Sequence, residues 1–321
     1  MATAPNTVTI TDAQTGSTAQ VLVSLGFNCF SWRPALGDGQ REMLWAPDSF
    51  AGGEDRPSSA GTPLLFPFPG RIGGAKLSFG GAEYALPARD SFGNALHGFA
   101  FDHAWRIVDQ QPNAVRAEFQ LSVDAPECAG MWPSDHRLAC QYRVAGRKLE
   151  LHVEYENVGD EPMPCGFGTH AYFRLPLAEG SDVEQTVITA PVDAEWRMES
   201  MLPVGDPAPL PSDTPLAEGV SLTGRSFDTP YRSTAPADAV VTEVRDPATG
   251  RVLRQTAEGG FASVVIYTPG HREAVCLEPY TCVPDPLRLE AEGHTTGLEV
   301  LAPGESSRRT VVLEVLDSTV A

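Results

Sequence analysis

The sequence predicts an all-β protein, a sandwich or a barrel, and three observations carry that expectation. First, apolar and polar residues alternate with a period of two. Leu149, Leu151, Val153 and Tyr155 interleave with Glu150, His152, Glu154 and Glu156, the pattern of a half-buried strand with one wet face. Second, such segments are short and are punctuated by Gly, Pro and Asp, with 30 Gly and 28 Pro in 321 residues. Third, no long amphipathic helix is convincing, and no repeat of roughly 20–50 residues points to a propeller or solenoid.

In chain order, strands are expected at 19–24, 105–108, 115–123, 138–144, 149–156, 185–189, 240–244, 252–255, 263–267, 274–278 and 310–315. Ala145-Gly146-Arg147-Lys148 reads as the turn of a hairpin between 138–144 and 149–156. Asp246-Pro247-Ala248-Thr249-Gly250 plays the same part between 240–244 and 252–255. Residues 48–61 (Gly, Ser, Pro and acids) and 202–225 (Pro, Asp and Ser) lack strand signals and read as long surface loops. The strands on either side of 202–225 look alike, so one domain with excursions is expected rather than two joined by a linker.

The charge narrows the partners. There are 23 Lys+Arg against 42 Asp+Glu, a formal net charge of −19. Such a chain repels phosphate backbones and anionic bilayer surfaces, so neither nucleic acid nor membrane is an expected partner. Hydrophobic content of 42% argues against disorder throughout. Met1–Thr7 lacks a basic and an apolar region, and no apolar run approaches the roughly 18 residues of a membrane span, so a cytoplasmic protein is expected. Cys29, Cys128, Cys140, Cys165, Cys276 and Cys282 are scattered without a C-x-x-C pair and read as reduced, mostly buried thiols. Lys76 and Lys148 are the only lysines, and neither lies near a candidate site segment, which leaves little for Schiff-base chemistry.

Four segments carry possible chemistry, and each also has a plain structural reading. In Cys165-Gly166-Phe167-Gly168-Thr169-His170-Ala171-Tyr172-Phe173, glycines allow close backbone approach and His170 can move a proton; equally, it is a satisfied core histidine beside a bulge. In Val275-Cys276-Leu277-Glu278-Pro279-Tyr280-Thr281, Glu278 ends an apolar strand, where burial would make it a stronger base; equally, it pairs with an arginine. His97 in Asn94-Ala95-Leu96-His97-Gly98-Phe99 is a hydroxyl donor or a turn residue. Arg71, after the stiff Phe66-Pro67-Phe68-Pro69-Gly70, is a held guanidinium or a surface one. His103, His136, His271 and His294 sit in turn-like surroundings, and His152 lies on a polar face. No H-x-H or H-E-x-x-H pattern, P-loop, dinucleotide fingerprint or G-x-S-x-G elbow is present, so no metal and no cofactor is expected.

Taken together and in order, these segments resemble the aldose 1-epimerase (galactose mutarotase) family. Leu65 to Ile72 is similar to its Phe-Pro…Asn-Arg-Ile segment, and Leu96-His97-Gly98 to its Leu-His-Gly. Gly168-Thr169-His170-Ala171-Tyr172-Phe173 is similar to its Gly-x-His-x-Tyr-Phe, and Glu278-Pro279-Tyr280-Thr281 to its Glu-Pro-aromatic-Thr. Gly297-Leu298 and Leu301-Ala302-Pro303-Gly304-Glu305-Ser306 resemble its closing strand and turn. Gly70 departs from the family's Asn, which removes a side-chain ligand there but leaves Arg71.

The resemblance implies a large antiparallel β-sandwich, the galactose mutarotase-like supersandwich, as a single domain over residues 1–321 with the site in a cleft on one face. It implies interconversion of the α and β anomers of a free aldohexose by acid/base ring opening and reclosure. By carry-over, Glu278 is the base and His170 the acid, an imidazolium near neutral pH. Arg71 and His97 bind sugar oxygens. Asp228, in Arg225-Ser226-Phe227-Asp228-Thr229-Pro230, is a candidate hydroxyl ligand or a turn aspartate. The partner implied is a small sugar; oligomeric state is not legible. The alternatives are a non-catalytic carbohydrate-binding protein, an epimerase of hexose 6-phosphates, and a two-carboxylate glycoside hydrolase.

Overall fold

The computed structural model describes residues 6–317 and is dominated by antiparallel strands. Among the described residues, nine strands form the larger sheet. In spatial order they are Arg106–Gln111, Ala114–Gln120, His136–Ala145, Lys148–Asn157, Ser306–Leu316, Val252–Glu258, Val240–Arg245, Val187–Thr189 and Val220–Ser221. Both expected hairpins are present, closing at Ala145↔Lys148 and Arg245↔Val252.

An eight-stranded sheet carries the site. It runs Leu202–Pro209, Val192–Glu199, Asp228–Ser233, Ser263–Tyr267, Ala274–Tyr280, Gly168–Thr169 and Leu64–Leu65, with Tyr172–Arg174 also paired to Ala274–Tyr280. The two sheets share one apolar cluster that extends from Val8 to Val315. Leu149, Leu151 and Val153 enter it from the larger sheet; Val264, Ile266, Val275 and Leu277 enter it from the other. Gln255 of the larger sheet donates through Nε2 to the Leu277 carbonyl at 2.7 Å, which fixes the facing. Side chains alternate along a strand, so Cys276, Glu278 and Tyr280 point the other way, out of the shared core and into a cleft.

Two expectations are corrected. Residues 202–225 are not all loop: Leu202–Pro209 is the edge strand of the site sheet, in register Arg197↔Val204 and Ala194↔Pro209. Pro203, Pro207 and Pro209 masked it, yet an edge is where a strand tolerates missing N–H donors. His136 is not in a turn. It opens strand His136–Ala145, fully buried, edge-on to Phe66 at 5.0 Å, and burial pushes its pKa down to about 4. By contrast, residues 48–61 are loop apart from one short 3-10 turn, Phe50–Gly52.

The six cysteines are free and buried, as expected. Among the described residues no helix is long and apolar enough to cross a membrane. Residues 1–5 of the N-terminal segment lie outside the described residues.

Candidate active site

Arg71, His97, His170, Asp228 and Glu278 all line one cleft on the outward face of strand Ala274–Tyr280. Its volume is about 180 Å³. Pockets for drug-sized ligands run roughly 300–1,000 Å³, so this one suits a small molecule.

Register brings His170 and Glu278 together. Gly168 pairs with Tyr280 and Tyr172 with Cys276, so the same register on both sides sets His170 across from Glu278. The chain leaves the ladder between these pairs, where the His170 N–H donates to the Pro63 carbonyl at 3.1 Å. His170 Nδ1 stands 3.4 Å from Glu278 Oε1 and has no hydrogen-bond partner among the described residues. The Tyr280 hydroxyl donates to Glu278 Oε2 at 2.6 Å. Tyr172 stacks on the His170 ring at 4.7 Å, and Tyr267 meets it edge-on at 5.9 Å.

Burial dominates the electrostatics of this pair. Glu278 is 1% exposed, and desolvation drives its pKa well above the usual carboxylate value, against the opposing hydrogen bond from Tyr280. Desolvation also lowers His170 to about 3. Burial thus favours the uncharged form of both groups, the carboxylic acid of Glu278 and the neutral imidazole of His170. The imidazolium expected from the sequence is not the resting form of His170, because burial disfavours its charge.

Arg71 and His97 are placed by a two-strand clasp. Arg71–Ile72 pairs with Ala95–Leu96, with Leu96 opposite Arg71. Gly70 adopts φ +69, and a Cβ there would come within 2.6 Å of Pro284, so a glycine is required. Gly98 passes so close to the Phe66 carbonyl that a Cβ would sit 2.1 Å from its oxygen. His97 Nδ1 accepts from the Gly70 N–H at 3.2 Å. Burial and then neighbouring positive groups keep His97 well below its usual pKa, so it is neutral. With Nδ1 accepting, Nε2 carries the hydrogen and is a donor. Arg71 donates from Nε to Asp90 Oδ2 at 3.0 Å, which orients the guanidinium. Burial opposes ionisation of Asp90, but hydrogen bonds from Asn94 and Phe92 and the charge of Arg71 hold its pKa below the usual range.

Asp228 opens strand Asp228–Ser233 at the cleft mouth. It remains accessible to solvent, yet the walls crowd it. That crowding raises its pKa, with Arg71 acting in the opposite direction. Sequence reasoning missed Arg56, Ser58 and Ser59, which reach the cleft from the 48–61 loop, and Asp90, which positions Arg71. A loop has no periodicity to flag such residues. Tyr280 lay within a quoted segment, but its link to Glu278 emerges only from alternation along the strand.

His170, Cys276 and Glu278 present ligand atoms within 4.8 Å of one another. Burial raises both the Cys276 thiol and the Glu278 carboxyl, so the trio offers neutral donors and suits a cation poorly. His103, Glu127 and Cys128 form a second such group. There, burial is outweighed by Asp102 and Glu127, which lift His103 to about 9; an imidazolium is no ligand.

The family model for aldose 1-epimerase matches residues 7–314. The Escherichia coli K12 protein YphB, itself uncharacterized, is 25% identical over 268 residues, covering 78% of this chain and 82% of YphB. A galactose mutarotase-like protein from Clostridium acetobutylicum superposes with a TM-score of 0.84 at 18% identity, over 98% of this chain and 99% of its own. The aldose epimerase homologue from C. elegans superposes with a TM-score of 0.80 at 17% identity, again over 98% and 99%. At these identities the superpositions establish the fold, an antiparallel β-sandwich of the galactose mutarotase type.

Proposed function

The chain belongs to the aldose 1-epimerase family, and from that premise and the cleft geometry we propose that it is a mutarotase acting on a free aldohexose-sized sugar. The observation that carries the reading is the pairing of His170 with Glu278 at 3.4 Å in a dry wall, with two oriented donors, Arg71 and His97, beside it.

In ring opening, Glu278 takes the proton from the anomeric O1 hydroxyl. The C1–O1 bond becomes a carbonyl, the C1–O5 bond breaks, and O5 takes a proton from His170. The aldehyde turns about C1–C2. Reclosure returns a proton from Glu278 to O1 and one from O5 to His170, giving the other anomer. Each group therefore donates once and accepts once, and no proton is gained or lost overall.

The resting protonation fits this cycle. Proton on Glu278 and neutral His170 is the state that accompanies the open aldehyde. A bound ring reverses it. An O1 hydroxyl donating to Glu278 favours the carboxylate, and an O5 lone pair accepting from His170 favours the imidazolium. The sugar draws the proton across the pair as it binds. His97 Nε2–H and the free end of Arg71 hold sugar oxygens, and Asp228 accepts from hydroxyls at the mouth. Each proton-transfer group is worth about 10²–10⁴ in rate.

Polarimetry on freshly dissolved α-D-glucose and α-D-galactose tests the reading directly. Equilibration faster than the buffer blank supports it. If neither those sugars nor a panel of other aldoses is accelerated, catalysis on free sugars is wrong.

A further inference from the structure

Carboxylates outnumber cations 42 to 23 in this chain, so a paired arginine is the default. Most of its arginines are in fact ion-paired, as at Arg89–Asp102, Arg232–Asp193, Arg251–Asp317 and Arg272–Glu184. Arg41 and Arg174 instead donate to backbone carbonyls. Among the described residues Arg56, Arg116 and Arg245 have neither kind of partner, and of these three Arg56 alone lines the cleft.

The root of Arg56 is fixed although its head is free. Asn28 Nδ2 donates to the Pro57 and Ala60 carbonyls at 3.3 and 3.0 Å, and the Tyr172 hydroxyl donates to the Ser58 carbonyl at 3.0 Å. The Ser59 N–H closes a turn on the Arg56 carbonyl at 3.1 Å. The loop thus presents an unspent guanidinium from a braced backbone.

The cleft is also polarised. The Arg56 charge acts on His97, His170 and Tyr172, whereas the Asp228 charge acts on Glu278, Cys276 and Tyr280. Tyr267 feels both. Arg71 acts on His97 and His170 as well, but its guanidinium is already paired with Asp90 at 3.0 Å, which leaves Arg56 as the lining arginine without a carboxylate partner. A neutral sugar has hydroxyls for the Asp228 end but no charge for the other.

We infer that the preferred substrate is an aldose bearing a carboxylate, a hexuronate, whose anionic group is bound by Arg56 at the 48–61 side of the cleft. One guanidinium fork matches one carboxylate in bidentate fashion. A dianionic phosphate calls for further unpaired cations, and the lining residues of this cleft add none beyond Arg56 and the Asp90-paired Arg71. This inference rests on the mutarotase reading for its reaction but not for its binding.

The experiment compares anomerisation of D-galacturonate and D-glucuronate with D-galactose, D-glucose and their 6-phosphates, in wild type and Arg56→Gln, at low and high salt. The expected result is a kcat/KM for hexuronates at least about tenfold above the matching hexoses, shrinking as salt is raised. Arg56→Gln should collapse that ratio toward one, chiefly through KM. A wild-type ratio of one or below, a ratio untouched by Arg56→Gln, or a preference for the 6-phosphates overturns the inference while leaving mutarotation intact. Calorimetric titration with galacturonate reads binding apart from catalysis. Binding that Arg56→Gln weakens at least fivefold supports the carboxylate site even if no sugar is turned over; no binding, or equal binding by the variant, refutes it.

Discussion

Strand Lys148–Asn157 and strand Ala274–Tyr280 both carry glutamate on one face, and the fold treats the two kinds of glutamate in opposite ways. On Lys148–Asn157 the apolar residues are buried and Glu150, Glu154 and Glu156 stay partly exposed. Each has an arginine across the ladder: Arg143, Arg308 and Arg137. On Ala274–Tyr280 every residue is buried. Glu278 there faces an imidazole and a phenol in place of an arginine. The first arrangement holds charge cheaply in water and does little with it. The second drives a carboxyl toward its protonated form, because burial outweighs both the Tyr280 hydrogen bond and the charge of Arg71. A strand with both faces covered, one by the core and one by cleft walls, is where a carboxylate becomes a proton carrier.

The sharpest way to break this contrast is to remove the proton carriers. Glu278→Gln and His170→Asn should each lower the mutarotation rate by about 10²–10⁴, with the circular dichroism of the fold retained. Wild-type rates in either variant would end the assignment.

The pH profile sharpens it next. An ordinary histidine acid would give an inflection near its usual value of 6.5. Here His170 lies at about 3 and Glu278 well above the carboxylate range. The pair keeps its single proton between those limits. kcat/KM should therefore show no His170 inflection near 6.5, and on the alkaline side it should fall as pH rises through the raised Glu278 value. An inflection near 6.5 would place His170 in a wetter setting than the one described.

Tyr280→Phe comes third. It removes the donor to Glu278 Oε2, and a hydrogen bond to a charged group is worth roughly 1.5–3 kcal/mol. A loss in kcat of roughly ten- to a hundredfold, with little change in KM, is expected. That donor also holds the Glu278 pKa down, so the alkaline limb should move upward; an unmoved limb would reduce Tyr280 to packing.

Stability gives a smaller effect of opposite sign. The folded pKa of Glu278 is raised above the unfolded value of about 4.5, so the folded state binds more protons at higher pH and loses stability as pH rises above that value. Glu278→Gln removes this penalty. Its melting temperature should exceed wild type at pH 8, with the difference fading toward pH 4.5. At the bottom of the scale, Glu154→Gln on the outer sheet should change stability by under about 1 kcal/mol and leave the rate alone, because its partner Arg308 is largely exposed.

The same contrast explains what could be read from the chain. The outer sheet alternates, so 138–144 and 149–156 were legible with their turn. Edge strand Leu202–Pro209 was not, since its prolines imitate a loop and only an edge can host them. The positions of Arg71, His97, His170 and Glu278 in one cleft agree with the ordered segments that the sequence presents. Arg56 and Asp90 escaped notice because they lie in loops, where spacing along the chain says nothing about distance in space. The protonation of His170 escaped for another reason: a residue's type sets its intrinsic pKa, but the surrounding wall sets the working one.

The position of Ser306–Leu316 has one more consequence. Late in the chain, it lies mid-sheet, between Lys148–Asn157 and Val252–Glu258. Until it leaves the ribosome, both neighbours present bare hydrogen-bonding edges, and the two halves of the larger sheet have nothing to join them. Folding of this sheet is therefore held back until residues 306–316 have been made. A chain stopped before residue 306 should accumulate as aggregate and not as a smaller folded protein.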